Sequence, residues 1–171
     1  MKKLIIAVVI LSTAIVQSTF AQTSNQQLNN VITAYISVKN ALTKDNGDSV
    51  RIAAKILYES IDKIPMDKLS ASEHNIWMQY SDKLSYDASH MKGTNDIDHQ
   101  REHFTNLSKN MYKMLMALKS NTVDLYYQYC PMANDGKGAY WVSEKSAIVN
   151  PYLGKKMPTC GSTKDTIKAI K

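Results

Sequence analysis

Four stretches of apolar residues, spaced three and four apart and separated by capping or helix-breaking signals, occupy residues 24–119 and leave little choice of fold. In the first, Leu28, Val31, Ile32, Tyr35, Val38 and Leu42 share one helical face. Asn46-Gly47-Asp48-Ser49 interrupts it and supplies an N-cap. The second stripe is Val50, Ala53, Ala54, Leu57, Ile61 and Ile64, and Pro65 stops it because the residue before a proline avoids helical geometry. Ser70-Ala71-Ser72-Glu73 is a capping box, opening a third stripe of Trp77, Tyr80, Leu84, Ala88 and Met91. Gly93 is expected to close that helix in a left-handed conformation. Thr94 or Asn95 is expected to cap the fourth, with Asp96 and Asp98 favourable at its positive end. Its stripe is Ile97, Phe104, Leu107, Met111, Met114, Leu115 and Leu118. Short loops between helices of similar length predict antiparallel neighbours, hence a mainly α fold with an up-down four-helix bundle.

The pattern changes after Ser120. Val123, Leu125, Tyr126, Tyr127 and Tyr129 form a β-prone run, Asn134-Asp135-Gly136-Lys137-Gly138 a turn, and Ala139-Tyr140-Trp141-Val142 a returning strand. Asn150-Pro151-Tyr152-Leu153-Gly154 is a further turn, and residues 163–171 are a short amphipathic piece. Residues 120–171 are too few to fold alone. They are expected to form a small C-terminal β-hairpin/loop subdomain packed on the bundle, making residues 22–171 one domain.

Lys2 and Lys3 precede an apolar run over residues 4–16, and Thr19-Phe20-Ala21 offers small residues at the −3 and −1 positions. This is the pattern of a secretory signal peptide over residues 1–21, with cleavage near Ala21/Gln22. The run is short for a membrane span, which needs about 20 residues. The expected location is periplasmic, with no membrane attachment after cleavage. Without Lys2 and Lys3 the 21 basic residues fall to 19 against 15 acidic, a diffuse excess that includes only two arginines, Arg51 and Arg101. Such a chain is a poor reader of nucleic acid.

The chemistry-bearing residues are sulfur and imidazole. Cys130-Pro131-Met132 and Met157-Pro158-Thr159-Cys160 read as mirror images, each with a proline that stiffens its segment. If the hairpin brings them together, two thiolates and two thioethers converge, a soft donor set suited to Cu(I) or Ag(I). On the sequence alone a disulfide, the usual state in an oxidising compartment, is the leading expectation for these cysteines, ahead of Cu(I) ligation and of inert thiols. His99 and His103, at i and i+4, share a helical face, and His90 ends the preceding helix across the short loop. Locally hydrogen-bonded boundary histidines are the plainer reading. The order His-Gln-Arg-Glu-His is not that of a zinc protease. His74 reads as surface, Met111 and Met114 as core packing, Met116 as exposed, and the ten tyrosines as glue between the C-terminal piece and the bundle. The sequence has no Gly-x-Ser-x-Gly, phosphate loop or dinucleotide turn, so no enzyme is expected.

The block Tyr127-Gln128-Tyr129-Cys130-Pro131-Met132-Ala133, then Lys137 to Ser143, Asn150-Pro151-Tyr152, Gly154, Met157 and Cys160-Gly161, with the upstream Asp98-His99-Gln100-Arg101-Glu102-His103-Phe104, resembles the periplasmic domain of unknown function 3347 family. Similar segments are fused to CusB-type adaptors of heavy-metal efflux pumps. The resemblance implies a non-enzymatic periplasmic protein that binds Cu(I) or Ag(I), for sequestration or delivery to an efflux adaptor or copper chaperone. The ligands it implies are Cys130, Met132, Met157 and Cys160, with His99 and His103 as weaker ones. The lipoyl and barrel segments of an adaptor are missing, which favours a soluble carrier. The competing expectation is a disulfide-stabilised secreted interaction module without metal.

Overall fold

The computed structural model describes residues 26–170, so the signal-peptide reading of residues 1–21 lies outside the described residues. The chain is mainly helical, with four helices and a small antiparallel sheet at its C-terminal end. Helix α1 covers residues 26–42, α2 Gly47–Asp62, α3 Ala71–Lys92 and α4 Ile97–Leu118. A 3₁₀ turn, Met66–Lys68, follows Pro65. Among the described residues no helix is long and apolar enough to cross a membrane.

Each helix follows its apolar stripe. Leu28, Val31, Tyr35, Val38 and Leu42 of α1 are buried, as are Val50, Ala54 and Leu57 of α2 and Phe104, Leu107, Met111 and Met114 of α4. Fully burying one such side chain stabilises by about 1.5–3 kcal/mol, so these faces decide how the helices meet. Helix α3 lies against both α2 and α4. The side chain of Asn46 caps α2 by accepting from the Ser49 N–H at 2.9 Å, and Ser70 and Glu73 form the expected reciprocal box on α3.

Two of the expected caps are different. Asp96, not Thr94 or Asn95, caps α4: its Oδ1 accepts from the Asp98 N–H at 3.0 Å and from the His99 N–H. Thr94 instead accepts from the Asp96 N–H and fixes the approach to the cap. Gly93 is right-handed, with φ −83°. A left-handed reversal is not needed there, because the buried Gln100 amide from α4 satisfies the carbonyls of the connection, donating to Thr94 at 2.7 Å and to Met91 at 3.3 Å.

Strand β1 (Leu125–Cys130) is central, flanked by β2 (Ala139–Ser143) and β3 (Ser162–Ile167) in the order β2-β1-β3. Gln128 faces Trp141 in one pairing, and Tyr129 faces Ser162 in the other. The expected hairpin is therefore present, but most of the expected amphipathic end piece is a third strand. Thr163, Thr166 and Ile167 suit extended backbone, and β1 has a second edge to satisfy.

The sheet is bolted to the helices through buried polar atoms. The Tyr35 hydroxyl is 2.8 Å from Ser108 Oγ on α4 and accepts from the Val142 N–H of β2 at 3.0 Å. Trp141, fully buried, donates its indole N–H to Gln128 at 2.8 Å. Tyr152 packs on Phe104 and Trp141 and donates its hydroxyl to the Tyr140 carbonyl. The tyrosines do fasten the C-terminal piece to the bundle, by hydroxyl as much as by ring.

Candidate metal centres

The donor residues fall into two groups, one of sulfur at the end of the sheet and one of imidazole at the α3–α4 connection. The sulfur group follows from strand register. Because Tyr129 pairs with Ser162, the last residue of β1 lies beside the residues leading into β3. Cys130 Sγ and Cys160 Sγ are 2.7 Å apart although 30 positions separate them in the chain. Cys130 is buried and Cys160 half-buried, both as free thiols.

Their backbones are closely fixed. Asn150 donates its side-chain amide to the Cys160 carbonyl at 2.8 Å, and the Cys160 N–H bonds the Met157 carbonyl. Gly161 has φ 138°, and a Cβ there would stand 2.8 Å from the Tyr129 carbonyl oxygen, so only glycine lets the chain pass so close to β1. The Cys160 thiol is pushed up in pKa, first by its hydrogen bond with Cys130, then by burial and by the charge of a second thiolate, while the Met132 N–H works the other way. Thiolate is the form that binds a metal ion or reacts with an oxidant, so either event has to displace the Cys160 proton.

The thioethers are placed less directly. The Met132 side chain is 54% exposed on the wall of an open cleft of about 990 Å³, which His99, Arg101 and Lys156 also line. Met157 is half-buried and contributes its backbone carbonyl to the turn. Met111 and Met114 are core, and Met116 is exposed, as the helical pattern implies.

The imidazole group is assembled by the short α3–α4 connection. It sets the last turn of α3, carrying His90, beside the first two turns of α4, carrying His99 and His103. One ring nitrogen from each of the three lies within 4.8 Å of the others. The His90 and His103 rings stack at 4.4 Å, and His99 meets His103 edge-on at 4.8 Å. His103 Nδ1 is 3.0 Å from Oδ1 of Asp87, a carboxylate that is only 5% exposed. Burial pushes the Asp87 carboxyl up in pKa, and the His103 contact pulls it back. Outside this core, the Glu102 carboxylate lies 3.7 Å from His99 Nδ1.

The sequence pairs His99 with His103 and sets His90 across the loop from them, but it does not reveal Asp87. The only local signal is that Asp87 and His90, three apart on α3, face the same way. His74, in the first turn of α3, lies outside the cluster.

A family model described as "Protein of unknown function (DUF3347)" matches residues 31–122. That span runs from α1 past the end of α4, so it includes Asp87 and the three imidazoles and stops before β1 and the thiols. No curated protein and no solved structure matches the chain. With more than half of its length matched, the chain belongs to the DUF3347 family of proteins of unknown function.

Proposed function

We propose that this is a non-enzymatic periplasmic protein that binds Cu(I) or Ag(I), for sequestration or for delivery to an efflux adaptor or copper chaperone. The observation that carries the reading is the contact between Cys130 and Cys160, contributed by two proline-bearing turns. Two adjacent thiolates are a soft donor pair, and soft donors select Cu(I) and Ag(I) over Mg²⁺ or Ca²⁺. Met132, two residues after Cys130, and Met157, whose carbonyl holds the Cys160 N–H, are the thioethers within shortest chain reach. Export through the signal-like residues 1–21 puts the chain where such ions are met, and the short helix connections support an up-and-down helix order.

The test is an anaerobic titration of reduced protein with Cu(I) against a competing chelator. Wild type is expected to take one Cu(I), and Cys130→Ser with Cys160→Ser to lose it. Equal binding by the double variant overturns the reading.

The same contact favours a second reading, a permanent disulfide in a secreted interaction module. Tyr127 stacks on Tyr140, and Tyr129 meets Tyr140 at a tilt, a row of rings on the sheet suited to a protein partner. Thiol counting on protein taken from its native compartment separates the two: a pair that no physiological reductant opens favours the module.

A further inference from the structure

We infer that His90, His99 and His103 form a second metal site, chemically distinct from the thiol pair, which takes a borderline divalent ion of the Zn(II) or Cu(II) kind. Three neutral imidazoles are borderline donors that suit Zn(II) and Cu(II), and the cluster lacks the thiolates and thioethers that select Cu(I). The inference stands whether or not the thiols bind metal.

The geometry goes beyond what local hydrogen bonding explains. Asp87 accounts for His103 alone. It does not account for two further rings, both exposed, gathered so that one nitrogen from each of the three falls within 4.8 Å. Imidazole nitrogens around a tetrahedral zinc at about 2.0–2.1 Å stand about 3.3 Å apart. Closing the remaining distance calls for side-chain rotation of His90 and His99, both of which are exposed. Three protein ligands leave the fourth position open to water or a transferred ligand.

The Asp87–His103 contact supplies the outer support that metal-bound histidines have. With Nδ1–H donating to the buried carboxylate, the Nε2 lone pair is left for the ion, and the ring is held in one orientation. Asp87 is thus a positioning residue. Glu102 beside His99 adds negative charge near an incoming cation.

The experiment uses the full chain carrying Cys130→Ser and Cys160→Ser, so that the thiols are silent. Titration with Zn(II) is followed by calorimetry, and titration with Cu(II) by electron paramagnetic resonance. One equivalent of each is expected, with nitrogen hyperfine structure on the copper signal. His90→Ala and His99→Ala, both at exposed positions, should each weaken binding at least tenfold with helicity unchanged. Asp87→Asn is expected to weaken it by about 10–100-fold and to alter the nitrogen hyperfine pattern, which a purely structural role would not do. Absence of a stoichiometric site, or binding unchanged in both histidine variants, overturns the inference. Because the cysteines are already removed, that result is independent of the Cu(I) titration.

Discussion

The Lys39 ammonium, 1% exposed, lies 2.7 Å from the Glu144 carboxylate and ties α1 to the chain leaving β2. Asn40 donates to the other carboxylate oxygen and Ser143 Oγ accepts from the same ammonium, so the pair is set in a polar network. Burial lowers the Lys39 pKa, opposed by Glu144. For Glu144 burial works to raise the pKa, but the Lys39 hydrogen bond and charge prevail and hold it below the ordinary value of 4.5.

Removing one partner strands the other, and the cost depends on which one can rehydrate. Glu144→Gln leaves a buried ammonium without its counter-charge and should cost about 3 kcal/mol. Lys39→Met leaves Glu144, 27% exposed, free to turn to water, and should cost clearly less. Because folding depresses the Glu144 pKa, its contribution is present above the ordinary carboxylate range. It is lost as pH falls from about 4.5 through the depressed value. Urea unfolding between pH 3 and 7 should therefore show a shallower acid limb in Glu144→Gln than in wild type.

Arg101 joins three segments from its place between the histidines of α4. Its Nε donates to the Pro151 carbonyl at 3.0 Å, and its Nη2 makes a short ion pair with Asp45, which also accepts from the Lys155 N–H at 2.9 Å. Lysine, a point donor, cannot serve both directions. Arg101→Lys is expected to cost about 1–2 kcal/mol and to raise protease cleavage in the segment around residues 151–157. The check is limited proteolysis beside thermal melting; a loss of melting temperature with no new cleavage there would contradict the bracing role.

The helices were legible because each writes its buried face into a 3.6-residue period, and because the Asn46 and Ser70–Glu73 caps act within three residues of chain. Strands β1 and β2 were legible from Tyr, Val and Trp around a glycine turn. Strand β3 was not: Ser162, Thr163 and Lys164 are exposed, so its edge position gives it no apolar alternation to read. Gly93 misled for a related reason, since the group that closes its connection, Gln100, reaches in from the next helix.

The candidate sites divide in the same way. His99 and His103 share a face by spacing alone, whereas Asp87 joins them through the angle between α3 and α4, which no local window contains. The meeting of Cys130 and Cys160 depends on the β1–β3 register, and the sequence could pose it only as a condition.

Gln100 supports the connection on which the imidazole cluster rests. Its amide also donates to the Gly47 carbonyl at 3.0 Å, and a Cβ on Gly47 would stand 1.9 Å from the Asn95 carbonyl oxygen. Gln100→Leu leaves carbonyls of three residues without their donor and should cost about 2–4 kcal/mol. Gly47→Ala must push the α3–α4 connection away from α2. Both variants are expected to melt lower and to bind Zn(II) more weakly in the cysteine-free background, although neither residue is an imidazole. Lower melting with unchanged Zn(II) affinity would mean that the cluster does not depend on this connection.

Oxidation of the thiol pair should be visible in stability as well as in metal binding. A bridge between Cys130 and Cys160 closes a loop of 30 positions, from the end of β1 through β2 to the approach to β3. Constraining the unfolded chain in this way contributes about 3.5 kcal/mol in the loop-entropy account. At about 2–4 °C per kcal/mol for a domain of this size, the oxidised protein should melt about 10 °C above the reduced one. The unfolding rate should carry much of the change, because β3 pairs with β1 across the bridge and cannot leave first while the sulfurs are joined. Melting wild type with and without reductant, with the Cys130→Ser and Cys160→Ser double variant as control, decides it: the reductant-dependent difference should vanish in the control. A wild type whose melting temperature ignores reductant, with two thiols counted in one state and none in the other, would show that the bridge adds no stability to this fold.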